Sequence, residues 1–396
     1  MLKREILEKE PESKELSSLY EDISHMLWRS GKLTESLPWA QKAFELAKRL
    51  GDSEVLAGSY NDMGTISLDF GEFEKATKYY EQGLKIALEN NFLGLALTFY
   101  NNLGNVYWYI GEFQKVFETA QKGSDLAKKV GALYSLAWLD AILASSYAYM
   151  GETQKAMSMF EDILAFSKRT NFAAYISYAT GYLGIGYQFL GEWDKSLKYL
   201  KEALDNAEKI GEWQVSGFAT YYLGELFMEK EDYVEAEKYL NESSNIYEKA
   251  GETASKFTDT LPALSKLYLK KGEIEKATEL IEKIDEHAKR TKNKFIIPCA
   301  EMLKAMLFRQ QKNWEQSIQY FEKSLEGYKS LNAQKWYVYQ FAELLYEYGL
   351  MHLERNEEGD KEKAYSLLNQ AMAIYQKVDA KKKIEKIIAK KKLLTA

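Results

Sequence analysis

The sequence has one cysteine, Cys299, and only three histidines in 396 residues. A single cysteine excludes an intrachain disulfide and a zinc site built from several cysteines. The histidines, His25, His287 and His352, lie far apart along the chain and share no metal-ligand spacing. We therefore expect no metal, no cofactor and no cysteine–histidine nucleophile.

Proline and long apolar runs are also scarce. Four prolines and no Ser/Gly-rich stretch leave no obvious linker between domains. No run of eighteen apolar residues is free of polar interruption, and the first residues lack the apolar core of a signal peptide, so we expect a cytoplasmic protein without a membrane partner. The net charge of −6 is spread along the chain, which makes nucleic acid an unlikely partner.

Three segments, 92–110, 132–150 and 172–190, are almost free of charge. Together they hold one charged residue, Asp140, whereas the intervening 112–130 and 152–170 alternate lysine and glutamate with apolar residues. A helix that is apolar around most of its circumference must be covered on more than one side, by its own protein or by something that it binds.

The sequence repeats itself with a period of forty residues. One position of the period is small in eight of nine copies, the exception being valine: Ser36, Ala76, Val116, Ala156, Ser196, Ala236, Ala277, Ser317 and Ala364. A second position holds only glycine or asparagine, the residues that tolerate a left-handed helix end: Gly51, Asn91, Gly131, Asn171, Gly211 and Gly251. Each period therefore predicts two helices of about sixteen to eighteen residues, A and B, joined by tight turns.

Helix A carries a large–x2–Leu–Gly–x2–aromatic pattern, as in Tyr100, Leu103, Gly104 and Tyr107, and its glycine allows a neighbouring helix to approach closely. Helix B carries a small residue with a bulky one four later, as in Ala156. Both patterns resemble the tetratricopeptide repeat family, with a period of forty rather than thirty-four and without the proline common at the end of helix B.

The resemblance implies an all-α fold, a right-handed α-α superhelical solenoid of about nine helix-turn-helix repeats in one array over 1–396. The first repeat is degenerate, and the ninth has an insertion that we place around Arg355–Asp360. The expected repeats are 12–50, 51–90, 91–130, 131–170, 171–210, 211–250, 251–291, 292–331 and 332–379, followed by a C-terminal capping helix over 380–396.

The last segment places Ile384, Ile387, Ile388 and Leu394 on one stripe, with seven lysines elsewhere. Such a helix is suited to cover the final apolar face of a repeat array, because terminal repeats need a polar outer side. A basic tail that contacts an anionic partner is the alternative.

In the tetratricopeptide repeat family, helices A line the concave wall. Projecting the period onto helix A gives an inward stripe with amides suited to a peptide main chain and aromatic rings suited to apolar contact. The candidate binding residues are Asn61, Asn101, Asn105, Trp108, Tyr109, Trp138, Tyr149, Tyr178, Ile185, Phe189, Tyr221 and Glu225. The alternatives are that these aromatic residues pack repeats together, or that a second copy covers them in a homodimer.

Catalysis has little support in the sequence. The glycine-rich string 181–186 lies inside a helix A rather than between a strand and a helix, so it does not predict a dinucleotide site. We therefore predict a non-catalytic scaffold or adaptor that binds a peptide segment of a protein partner in its concave groove. The alternative is a regulatory sensor module that binds a small apolar or aromatic ligand or acts through homodimerisation, as in tetratricopeptide sensor domains of transcription regulators.

Overall fold

A computed structural model describes residues 12–29, 32–250, 256–291 and 293–395. Within these ranges every regular element is a helix, which confirms the all-α class. None of the described helices is both long and apolar enough to cross a membrane. The predicted turn at Gly251 lies outside the described residues.

Contacts between Cα atoms divide the chain into two units, Met1–Leu143 and Ala144–Ala396. The first unit contains six helices and most of a seventh, α7, which continues into the second unit. They are α1 (Lys14–Arg29), α2 (Leu33–Leu50), α3 (Ser53–Asp69), α4 (Phe73–Glu89), α5 (Leu93–Ile110), α6 (Phe113–Val130) and α7 (Leu133–Tyr149).

The second unit continues the same alternation of helices A and B. Its helices are α8 (Thr153–Thr170), α9 (Ala173–Phe189), α10 (Trp193–Ile210), α11 (Trp213–Glu229), α12 (Tyr233–Lys249), α13 (Leu261–Lys271), α14 (Ile274–Thr291), α15 (Ile296–Gln310), α16 (Trp314–Ser330), α17 (Ala333–Trp336), α18 (Val338–Arg355), α19 (Asp360–Lys377) and α20 (Lys381–Thr395). A π-helical turn, Lys256–Thr260, precedes α13. Whether the two units form the single array predicted over 1–396 stays a prediction.

The turns that follow helices B have the predicted left-handed backbone. Their φ angles lie between 54° and 72° at five successive turns: Gly51, Asn91, Gly131, Asn171 and Gly211. This region is strained for most side chains but accessible to glycine and, at lower frequency, asparagine. The prediction from the glycine and asparagine pattern is confirmed at these positions.

The small residues of helix B and the glycine of helix A fit one another. All nine small positions are buried, including Val116. A Cβ at Gly184 would lie 3.0 Å from the backbone nitrogen of Leu200, and one at Gly224 would lie 3.2 Å from that of Leu240. Glycine therefore allows the two helices of a pair to approach at these places, as predicted.

The insertion in the ninth repeat is positioned differently from our expectation. Most of the extra residues precede α18, where 331–337, including α17, replace the two-residue turn seen at 211–212. Only a small part lies at 356–359. Sequence spacing gave the total length of the insertion but not its division, because both junctions fall between unambiguous helices.

The end of the second unit folds back onto its start. Tyr339, just after the insertion, stacks on Phe189 of α9 with ring centroids 4.2 Å apart. Its hydroxyl also forms a 2.8 Å hydrogen bond with the Thr153 hydroxyl. Val338 and Val378 contact the turn at Gly151. The second unit therefore closes on itself and encloses space between its first and last helices.

Replacing Gly151 with alanine tests this closure through stability. Gly151 has φ +77°, and an added Cβ would lie 2.3 Å from Val378 Cγ1 and 3.0 Å from Val338 Cγ2. Gly211 has nearly the same φ, +72°, with no atom within 4 Å of an added Cβ. We expect Gly151→Ala to lower the free energy of unfolding by about 1–3 kcal/mol more than Gly211→Ala, the typical cost of overpacking. Urea denaturation of both variants measures the difference, and equal destabilisation would contradict the closed arrangement.

Candidate functional site

The second unit encloses a cavity of about 1110 Å³, a volume that includes its open mouth. Its wall is rich in aromatic rings, which provide large apolar area with little conformational freedom to lose on binding. They are Phe189, Trp193, Tyr221, Tyr222, Phe295, Tyr328, Tyr339 and Tyr375. The cavity is of the size that proteins use to surround small ligands, ~300–1,000 Å³.

Two ion pairs hold charged groups at the wall. The Lys266 ammonium lies 2.7 Å from the Glu343 carboxylate, and both side chains are mostly buried. Burial alone would raise the pKa of Glu343, but the Lys266 charge lowers it, so the carboxylate stays ionised. In the second pair, Glu229 accepts hydrogen bonds from Lys383 and Lys386 of α20. Burial opposes ionisation of Glu229 as well, but the two ammonium groups lower its pKa to about 2.

Glu225 is the acidic group of the wall whose charge is least well compensated. Burial raises its pKa to about 7, and the Lys266 charge only partly opposes this effect because Lys266 is bound to Glu343. At neutral pH the Glu225 carboxyl group is therefore divided between its protonated and ionised forms. Such a displacement of pKa in a cavity is a frequent mark of a functional residue.

Three buried polar atoms of the wall have no hydrogen-bond partner within the described protein. They are Glu225 Oε1, the Tyr328 hydroxyl and Gln340 Oε1. Buried polar groups in folded proteins are nearly always hydrogen-bonded, so each exception requires an explanation. Two of the three are pure acceptors and the third accepts as well as donates. The wall is therefore complementary to a molecule that carries hydrogen-bond donors.

The π-helical turn Lys256–Thr260 brings Thr258 and Asp259 into the wall. Its extra residue has a visible origin, because the spacing from Ala236 to Ala277 is 41 residues where the neighbouring repeats have 40. Isolated π-turns within helices often occur at functional sites. The single extra residue in the period is the sequence signal that marks this one.

Cys299, the only cysteine of the sequence, also lines the cavity. Burial raises the pKa of its thiol to about 11. At neutral pH the thiol is protonated and only weakly nucleophilic. The cavity therefore presents Cys299 as a small apolar group rather than as a catalytic one.

A smaller apolar cavity of about 350 Å³ adjoins the first. The rings of Phe189 and Tyr222 belong to both walls. Its other surfaces come from residues of α7, α8 and α9, among them Met157, Phe160 and Ile185. It has the shape and composition to receive one apolar side chain.

The structure places five of the predicted site residues at these two cavities. Phe189, Tyr221 and Glu225 line the larger one, and Tyr149, Ile185 and Phe189 line the smaller. Tyr178 belongs to the same unit but packs between helices, with ring centroids 5.9 Å from Tyr182 and 5.5 Å from Phe218.

The remaining six predicted residues belong to the first unit. Three of them pack or bond locally. Trp108 packs on Phe113 at 4.5 Å, Tyr109 stacks on Phe73 at 6.1 Å, and Asn61 accepts a 2.8 Å hydrogen bond from Asn102. The other three are Asn101, whose Oδ1 is buried without a partner in the described protein, the exposed Asn105, and Trp138, which is 37% exposed. Their role in binding stays a prediction.

Sequence reasoning missed several residues of the larger cavity, although its own rule could have found them. The inward stripe of the sixth repeat contains Tyr221 and Glu225. Advancing that stripe by 41 residues gives Pro262 and Lys266, and a further 40 gives Met302. One further step reaches the ninth repeat, where Gln340 and Glu343 line the cavity. Lys382 and Lys383 gave no such signal, because α20 lies outside the repeats.

Metal binding finds no support at this site. Among the described residues, no group of three or more His, Cys, Asp and Glu side chains has the geometry to hold an ion. The carboxylates of the wall instead face lysine ammonium groups, as at Lys266 and Lys383. The site is suited to binding an organic ligand through hydrogen bonds and aromatic contact.

Comparison with protein families gives one match. A tetratricopeptide repeat model matches residues 15–89 and 175–249. No curated protein sequence matches the chain.

Several solved structures have a similar fold. A Rap protein complexed with competence and sporulation factor is 15% identical, with a TM-score of 0.67 over 92% of this chain and 99% of that one. NprR in complex with its cognate peptide NprX is 14% identical, with a TM-score of 0.58 over 77% and 85%. Aspartyl phosphate phosphatase F from Bacillus subtilis is 15% identical, with a TM-score of 0.53 over 91% and 94%. At these identities the likeness shows the fold alone.

Proposed function

We propose that this chain, which belongs to the tetratricopeptide repeat family, is a non-catalytic cytoplasmic receptor that encloses a short, positively charged peptide in the cavity of its second unit. The observation that carries the proposal is the set of unpartnered buried groups at the wall, Glu225 Oε1, Gln340 Oε1 and the Tyr328 hydroxyl. Peptide N–H groups, an ammonium or a guanidinium supply the donors that these atoms lack.

The charge of the ligand follows from Glu225. An ammonium or guanidinium beside it would favour the ionised carboxylate and supply the opposite charge that Lys266, bound to Glu343, supplies only in part. The rings of Tyr221 and Tyr222 lie next to one another at the same wall, with centroids 4.7 Å apart. Aromatic faces attract cations through the ring quadrupole, so carboxylate and rings together favour a basic group.

The length of the ligand follows from the closure of the second unit. Because α18 and α20 contact α9, α10 and α11, a long polypeptide would have to leave through the mouth of the cavity. A free peptide of a few residues fits the enclosed volume better than an internal segment of a folded partner. Two of the solved structures of similar fold are complexes, one of them with a cognate peptide, and we carry that property to this chain only as part of the proposal.

Synthetic pools of hexapeptides test the proposal directly. Each pool fixes one position as arginine, lysine, glutamate or leucine, and binding is followed by calorimetry and by the fluorescence of Trp193, which lines the cavity. We expect the basic pools to bind and the glutamate pools to fail. Glu225→Gln should weaken the basic pools roughly 10- to 100-fold, the size of one charge-assisted hydrogen bond.

Glu235→Gln is the matched control for Glu225→Gln. Glu235 lies on the neighbouring helix α12, where it forms a surface ion pair with Lys238 at 3.2 Å. This substitution should leave the affinity for every pool unchanged. An unchanged affinity of Glu225→Gln, or a preference of the parent protein for acidic pools, would contradict the proposal.

A further inference from the structure

The C-terminal helix α20 and the residues just before it contact three successive turns on one edge of the second unit. Val378 packs against the turn at Gly151. Lys382 lies against the turn at Gly191, with its ammonium 5.6 Å from the ring centre of Trp193. The third contact is the carboxylate of Glu229, at the end of α11, which binds two lysines of α20.

The same segment forms part of the cavity wall. Ala380, Lys382 and Lys383 line the cavity, with Glu229 beside them. Cys299 lies in the same wall and is only 7% exposed. Moving α20 away from α11 would therefore open this wall from the side.

Helix α20 is held by few apolar contacts. Of its isoleucines, Ile387 is fully buried, whereas Ile388 is 45% exposed. Seven of its residues are lysines, and the ones that cross to α11, Lys383 and Lys386, both depend on Glu229. Elements with little buried apolar area open at a lower free energy than the core of a domain. The link between α20 and α11 thus depends mainly on one carboxylate.

We propose that α20 is a movable clasp over the cavity, and that the Glu229 carboxylate, through Lys383 and Lys386, is the latch that keeps it closed. Opening releases α20 from α11 while the repeat helices remain packed, and it gives a ligand access to the interior. The inference rests on the cavity and not on the identity of its ligand, so the failure of the peptide proposal would leave it standing.

Alkylation of Cys299 by iodoacetamide measures the opening without any ligand. Because the sequence has no other cysteine, a mass increase of the intact protein reports this site alone. In the closed form the thiol is buried with a pKa of about 11, so both access and reactivity are low. When opening and closing are fast relative to alkylation, the labelling rate follows the population of the open form.

We expect Glu229→Gln to accelerate labelling at least tenfold, because each 1.4 kcal/mol lost from the latch raises the open population tenfold. Lys386→Met, which keeps Lys383 on Glu229, should give a smaller acceleration. The control is Glu385→Gln, since Glu385 lies on α20 but pairs with Lys382 of the same helix at 2.8 Å. Its labelling rate should equal that of the parent protein.

Hydrogen exchange separates opening of the clasp from unfolding of the unit. In Glu229→Gln we expect the amides of α20 to lose protection while those of α13, α15 and α16 keep it. That pattern, together with faster labelling, supports the clasp. An unchanged labelling rate, or a loss of protection throughout the second unit, would overturn it.

Discussion

Lys266→Met is expected to lower the free energy of unfolding at pH 7 by about 3–5 kcal/mol, the usual cost of removing one partner of a buried ion pair. The Lys266 ammonium lies 2.7 Å from Glu343, and its side chain is 14% exposed. It is also the charge that limits the rise in the pKa of Glu225. Removing it leaves two carboxyl groups in the same wall without a counter-charge. Urea denaturation at pH 7 measures the loss.

A double variant and a surface pair serve as controls for this prediction. Lys266→Met combined with Glu343→Leu should recover most of the lost stability, because replacing both members of a buried pair by apolar groups is often close to neutral. The ion pair of Lys283 and Glu279 is exposed, so Lys283→Met should change stability by less than about 0.5 kcal/mol. A double variant as unstable as Lys266→Met would show that Lys266 does not act through Glu343.

The fold was predictable because repetition turns weak local signals into a strong one. A single asparagine such as Asn171 says little about a helix end, yet glycine or asparagine at every fortieth residue identifies the left-handed turn. Val116 shows how far the pattern extends, because even this larger residue is completely buried at its position. Local periodicity and turn chemistry were sufficient for the fold class.

The site was predictable only in part, since it depends on contacts between distant parts of the chain. The inward stripe of the fifth and sixth repeats contains Phe189, Tyr221 and Glu225, which all line the larger cavity. Continuing the stripe required the one-residue step that produces the π-turn at Asp259. No periodic rule leads to Lys383, because its place in the wall results from the return of α20 to α11. Closure of the second unit is a tertiary event, and local patterns do not encode it.

Glu225→Gln is expected to stabilise the protein at pH 8 by about 3 kcal/mol, the linkage energy of a pKa that rises from 4.5 to about 7. Because the folded pKa is the higher one, the folded state retains a proton that the unfolded chain releases between these two values. The contribution of Glu225 to stability is therefore greatest below pH 4.5, decreases as the pH rises to about 7, and stays low above it. Glutamine imitates the protonated acid and does not titrate.

Urea denaturation at pH 5 and pH 8 checks this prediction, with Glu235→Gln as the pH-independent control. The variant and the parent protein should be nearly equal at pH 5 and differ at pH 8. A variant that is less stable than the parent at pH 8 would mean that the ionised Glu225 carboxylate already has a partner inside the folded protein. Gained stability with weakened binding of basic peptides would instead show that Glu225 lowers stability in the unliganded protein and acts in recognition. Residues selected for packing do not show this combination, because their removal lowers stability and binding together.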